Sequence, residues 1–259
     1  MNAYPVIGWK NWLGASPGPA VTHPADADGY PFANLSDWRE YTEWRTDETG
    51  ALEIKLDAGG LDGGKIAVDC FALAGHNLAS AGAADIGLYS SDNDADYSAC
   101  FPAFTPESDR PQLRSFAARE QRYFKFVIPA GYTPPIQLGI LFIGRALTIP
   151  AYPDAGFDPD VQEAELAAER SRSGFLLGVA PRSRRREVSA GFGRLPAAFI
   201  AEEWAPFFSV HGWRPFFFAW DPAGHPEEVY LLRLTNPRLS APFAGAFRSL
   251  SLEMTGPAD

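Results

Sequence analysis

The sequence predicts a mainly β protein of two sandwich-like domains, the first of jelly-roll type and the second carrying a short helix. Three observations predict it. Short segments alternate apolar and polar residues at period two. Glycine (24) and proline (23) punctuate them at hairpin spacing, and aromatic residues reach 14% in a chain that is 46% hydrophobic. Aromatic residues fit a pleated, half-buried surface, and Gly and Pro close turns. No crossover helices separate the apolar runs of the first half, so antiparallel sheets are expected there.

The elements follow in order. Residues 1–35 carry Pro5, Pro17, Pro19, Pro24 and Pro31 and read as an extended N-terminal arm with room for one strand at residues 4–9. Residues 38–44 (WREYTEW) fit a short helix or a strand with Trp38, Tyr41 and Trp44 as its aromatic face. From Ala51 onward Leu52, Ile54 and Leu56 alternate with Glu53, Lys55 and Asp57, the pattern of a half-buried strand. Residues 65–74 form a more apolar, central strand, residues 83–90 a third, and the polar SDNDAD tip follows. Residues 122–128 alternate again, and the apolar run 137–142 closes a first domain spanning residues 36–150.

Pro150, Pro153, Gly156 and Pro159 mark a boundary, and VQEAELAAER after them is the strongest helix-forming stretch, so residues 151–170 read as a linker with a short helix. Residues 171–259 form the second domain. Its expected strands are 175–179, 186–192, 229–234 and 247–254, with helical turns at 196–204 and 207–212. No fixed-period repeat is visible.

Charge and motifs narrow the function. A net charge of −10 disfavours a nucleic-acid partner, which needs a basic surface to neutralise phosphates. It also disfavours electrostatic binding to a membrane. No apolar run reaches the roughly 20 residues that span a bilayer. The first residues lack the charged and apolar regions of a secretory signal, so a soluble protein made in the cytoplasm is expected. Cys70 and Cys100 carry no framework signal; two buried free thiols are expected over one disulfide.

Catalytic, cofactor and metal residues are expected to be absent. His23, His76, His211 and His225 are scattered, and no zinc, nucleotide or nucleophile-elbow motif occurs. Asp92, Asp94 and Asp96 open like a calcium loop, but Tyr97 stands where such a loop needs glycine and Ala103 where it needs a bidentate glutamate. A solvated hairpin tip is the expectation. Gly191 and Gly193 are too little for a nucleotide site. The basic run Arg182, Arg184, Arg185, Arg186 reads as an exposed loop or as the mate of an acidic face on a neighbouring subunit. Phe216, Phe217, Phe218 and Trp220, with Trp213 just before, need cover on both faces, so they read as core or interface.

Two stretches carry a resemblance. The first runs Val68-Asp-Cys-Phe-Ala-Leu-Ala-Gly-His76-Asn77-Leu78 to Gly82, followed by Ser91-Asp92, Tyr123-Phe-Lys-Phe and Leu138-Gly-Ile-Leu-Phe-Ile-Gly144. The second comprises Ser173-Gly-Phe-Leu-Leu-Gly178, Ala205-Pro-Phe-Phe, Pro215 to Trp220, Pro226-Glu-Glu-Val and Glu253-Met-Thr-Gly256. Their order resembles tail and distal-tail (baseplate) structural proteins of long-tailed bacteriophages and prophages. The resemblance implies a galactose-binding-like sandwich followed by a tail-assembly β domain in the virion. It implies no catalytic residue, and it gives other copies of the chain and neighbouring tail proteins as partners. A carbohydrate-binding module contacting host glycan is the alternative, and a glycan hydrolase, needing two carboxylates about 5–10 Å apart, is the third. In the turn at His76 and Asn77, Asn is expected to tolerate left-handed backbone, and Gly144 to mark a bulge or strand end.

Overall fold

The computed structural model describes residues 4–39, 41–239 and 241–258. The first three residues of the expected arm, Glu40 of the 38–44 segment, and Ser240 and Asp259 of the expected second domain lie outside them. The chain divides into two compact units, one of residues 1–149 and 217–229, the other of residues 150–216 and 230–259.

The first unit holds β1 (Val6–Asn11), β2 (Ala20–Thr22), β3 (Trp44–Thr46), β4 (Leu52–Asp57), β5 (Ile66–Ala74), β6 (Gly87–Ser91), β7 (Ser98–Ala99), β8 (Gln112–Gln121), β9 (Tyr123–Ile128), β10 (Ile136–Leu138) and β11 (Ile140–Thr148). One antiparallel sheet runs β2-β4-β9-β6-β7. The opposing sheet runs β1-β11-β5-β8, and β3 pairs β10 in a short ribbon. Apart from the β6–β7 hairpin and the β3–β10 ribbon, successive strands switch between the sheets, the jelly-roll arrangement. Leu52, Ile54, Leu56, Leu88, Phe124 and Phe126 from one sheet meet Ile66, Val68, Phe71, Leu73, Leu141 and Ile143 from the other in a single core. Each such side chain contributes about 1.5–3 kcal/mol by leaving water. The period-two reading of β4 holds: Leu52, Ile54 and Leu56 are buried between outward-facing Glu53, Lys55 and Asp57.

The strand allowed within the extended arm at residues 4–9 forms as β1, Val6–Asn11. Val6 and Ile7 are buried, and β1 lies in the sheet, pairing β11 (Val6↔Thr148). Buried Asn11 locks it there. Its Nδ2 donates to the Leu141 carbonyl (2.7 Å), and its Oδ1 accepts from Ile143 N (3.2 Å). Two adjacent apolar residues beside a polar staple favour burial of the strand. Residues 38, 39 and 41–43 are neither helix nor strand, and Trp44 opens β3. Asp37 accepts from Arg39 N (2.8 Å) and the Thr42 hydroxyl (2.9 Å), holding a turn. Trp38, at φ 61°, is buried against Phe142 and Phe217.

The second unit holds β12 (Gln162–Arg170), β13 (Leu176–Leu195), α1 (Ala197–Phe199), a π-helical turn at Ile200–Trp204, and α2 (Ala205–His211). β14 (Phe216–Ala219) follows, and its residues 217–219 pair β1 within the first unit. β15 (Val229–Leu234), β16 (Phe243–Ala244) and β17 (Phe247–Pro257) complete the chain. β17 pairs β13, β15 and β16. The helical turns expected near residues 196–212 form. They bury Phe199, Trp204, Phe207 and His211, and Phe216 packs edge-on against Phe207 at 5.5 Å. No helix among the described residues is long and apolar enough to cross a membrane.

Two expectations fail here. VQEAELAAER is strand β12, not a helix, because its pairing along β13 overrides its helix propensity. The basic run, expected as a loop, is strand, while the strands expected at 175–179 and 186–192 form as parts of one long β13 that starts at Leu176. β8 went unanticipated, because QLRSFAAREQ shows no apolar alternation.

Gly144 sits opposite Asn11, and a Cβ there would lie 1.9 Å from the Lys10 carbonyl oxygen. Gly144→Ala is expected to cost about 1–3 kcal/mol, read as a lowered thermal midpoint. His211 is buried, with Nε2 2.6 Å from the Pro215 carbonyl oxygen, and burial pushes its pKa down to about 4. The unfolded chain therefore takes up this proton first. The stability linked to neutral His211 is full above about pH 6.5 and is lost as pH falls towards 4, by no more than about 3 kcal/mol. Denaturant titrations of wild type and His211→Gln at pH 7 and pH 4.5 check this: the wild type is expected to lose more.

Candidate functional sites

The hairpin β12–β13 is the first candidate. Ser171 and Gly174 close it: Gly174 N donates to the Ser171 carbonyl (2.9 Å), and Gly174 takes φ 83°, a backbone that favours glycine. Cross-strand pairs fix its charge pattern. Glu163 faces Arg185, and the Arg185 guanidinium reaches its carboxylate at 2.6 Å; Arg182 lies 3.6 Å from Glu165. At the root, Arg186 is 3% exposed. It donates to the Pro159 carbonyl (2.9 Å) and Asp160 Oδ1 (2.6 Å), and stacks on Tyr230 at 4.3 Å.

Beyond that root nearly everything is exposed. Leu166 is 58% exposed, Phe175 73%, Leu177 66% and Val179 49%. β17 joins β13 only from Arg185 onward, so residues 176–184 have β12 as their partner strand. β12 itself ends the sheet order, and no strand among the described residues pairs its outer edge. Soluble monomers rarely expose apolar area of this extent, and they blunt free strand edges.

The second candidate is a pocket of about 300 Å³ in the first unit, lined by Val6, Asp69, Ser115, Phe116, Ala117, Ala146 and Thr148. It exists because the sheet opens on both sides of Asp69. β11 and β5 stay in register only as far as Gly144↔Cys70. β8 meanwhile shifts register between Val68↔Arg119 and Cys70↔Ser115, a bulge. The Asp69 carboxylate fills the gap in the β11 ladder, accepting from Ala146 N at 2.8 Å, with Arg145 Nε 3.6 Å away. Burial raises the Asp69 pKa above the usual carboxylate range. The Ser115 hydroxyl is buried with no hydrogen-bond partner among the described residues.

The other singled-out residues are dispersed. Cys70 and Cys100 are buried free thiols, their pKa values raised by burial, that of Cys100 to about 11. His23 stacks on Phe32 at 3.9 Å. His76 is buried 3.9 Å from Asp109, and burial lowers its pKa. At that turn the positive φ belongs to Gly75, while Asn77 ties the loop by donating to the Pro135 carbonyl and accepting from Gln137 N. Asp92 pairs Lys65, Asp94 pairs Lys55 and Asp96 accepts from Asn93. The SDNDAD tip therefore directs its carboxylates to separate partners. Phe216 to Phe218 are buried, as their density required, whereas Trp213 is 61% and Tyr41 81% exposed.

One group of a histidine and two carboxylates converges among the described residues. His225, Glu227 and Glu228 bring one nitrogen and two carboxylate oxygens within 4.8 Å of one another, with His225 stacked on Trp220. The signal was present as His-x-Glu-Glu, a spacing outside the motifs sought.

No protein-family model matches the chain, and no curated protein matches it. Solved structures similar to about half of it include a pectin-binding carbohydrate-binding module, at 15% identity over 49% of this chain and 89% of that one, with a TM-score of 0.38. Another is the Clostridium perfringens protein CpGH89CBM32-5, in complex with GalNAc-β-1,3-galactose, at 16% identity over 49% and 94%, TM-score 0.39. A third is chitosan-binding module 1 from a Paenibacillus sp. IK-5 chitosanase/glucanase, at 15% identity over 49% and 95%, TM-score 0.39.

Proposed function

We propose that this chain is a structural subunit of a phage tail tip or baseplate, joined to other copies and to neighbouring virion proteins through the β12–β13 hairpin. One observation carries the reading. Leu166, Phe175, Leu176, Leu177 and Val179 are all exposed on a two-stranded ribbon whose outer edge no strand among the described residues pairs. A solvated two-stranded ribbon is marginal by itself. Apolar contact at its tip and strand addition at its edge both stabilise it. Acidic β12 beside basic β13 supplies complementary sides, so a head-to-tail contact sets one register and suits a closed ring. Such a role needs no catalytic residue and no cofactor.

A second reading is favoured by a different observation, the polar pocket at Asp69. The sandwich binds host-surface glycan, a role compatible with tail assembly because it uses the other unit.

Light scattering across a concentration series tests the assembly reading. A discrete oligomer is expected for the wild type, and loss of that oligomer for the combined Leu166→Ser, Phe175→Ser and Leu177→Ser variant with its fold retained by circular dichroism. A wild-type monomer at every concentration overturns self-assembly through the hairpin. Binding to a bacterial polysaccharide array tests the glycan reading, and a blank array sinks it.

A further inference from the structure

We propose that the pocket at Asp69 holds one neutral sugar unit, with Asp69 and Ser115 as its polar contacts. This rests on the glycan reading and adds the site, its residues and its charge selectivity. The Asp69–Ala146 hydrogen bond offsets only part of what this arrangement costs the sandwich. Splaying β11 from β5, bulging β8 and drawing a carboxylate out of water all oppose folding. Bulges of this kind re-aim side chains beside binding sites.

The two polar groups are placed for a ligand. Asp69 Oδ1 is engaged by Ala146 N, while Arg145 Nε approaches Oδ2 at 3.6 Å, close enough to balance its charge but long for a hydrogen bond. Oδ2 can therefore accept from a sugar hydroxyl. Ser115 lines the same pocket, and its hydroxyl, buried and unpaired among the described residues, turns toward a ligand by a χ1 rotation. A hydroxyl left so is costly, and a ligand hydroxyl relieves that cost. Val6, Phe116, Ala117 and Ala146 supply apolar wall, suited to the C–H face of a pyranose. A volume of about 300 Å³ lies at the small end of ligand pockets, about 300–1,000 Å³. That favours a single ring over a longer chain. With Arg145 already serving Asp69 on a protein of net charge −10, a uronate is disfavoured.

The test uses the full chain and the methyl glycosides of glucose, galactose, mannose, N-acetylglucosamine and glucuronic acid, by saturation-transfer NMR and calorimetry, beside the polysaccharide array. At least one neutral glycoside is expected to bind and the glucuronide to be silent. Asp69→Asn, which keeps an acceptor for Ala146 N, is expected to weaken binding about tenfold, and Ser115→Ala to weaken it less. Thermal melts of both variants report retained folding. If a glycoside binds both variants as it binds wild type, the pocket assignment falls and the glycan reading stands. If the array binds but no glycoside does, the pocket assignment also falls alone. If neither binds, both fall, and ordered water is the pocket's occupant.

Discussion

The first unit depends on one short strand. β1 lies between β11, which ends near residue 148, and residues 217–219 of β14. It thereby joins parts of the chain separated by most of the second unit. Its hold is polar as much as apolar. Asn11 gives Nδ2 to the Leu141 carbonyl and takes Ile143 N, so one side chain satisfies β11 backbone groups that lie past the last β1 pair, Asn11↔Gly144. Gly144 opposite it lets the Lys10 carbonyl approach closer than any side chain permits. Val6 and Ile7 supply the burial. Neither an apolar patch nor a polar staple alone gives this register; together they do.

The core of this unit was legible because its strands obey simple periodicity. β4 and β9 alternate cleanly, with Leu52, Ile54 and Leu56 opposite Ile128, Phe126 and Phe124 across the ladder. β5 reads as a central strand because it is apolar on both faces, and it does lie between β11 and β8. The density of rings at Phe216 to Phe218 forced burial, and their burial is complete. What escaped were positions set by partners far away in sequence. β8 carries charges because it lies at the edge of its sheet, next to β5 alone. Pro5 hides that the next two residues are core.

The hairpin shows the limit of local propensity. Ala, Glu, Leu and Arg favour helix, yet β12 is a strand because each residue meets a partner on β13, Glu163 with Arg185 and Ala168 with Val179. The basic run was read from charge alone as a loop. Its acidic mates, 17 or more positions earlier in the chain, make it a ladder. Neither candidate site was visible as a motif. The pocket arises from two register breaks around Asp69, and the exposed tip becomes visible only when Phe175 and Leu177 find no cover on their own chain. His225, Glu227 and Glu228 were adjacent in the text, but only the loop geometry shows their ligand atoms converging.

The split of the first unit across the sequence has a consequence for biosynthesis. Residues 217–219 leave the ribosome only after residues 150–216, so a nascent chain carries β1 with one flank open throughout that interval. The β12–β13 ribbon, with its greasy tip, emerges within the same window. Two sticky strand margins thus coexist on every growing chain. On a polysome making many copies of this chain side by side, the open flank of β1 is covered only once residue 219 has been made.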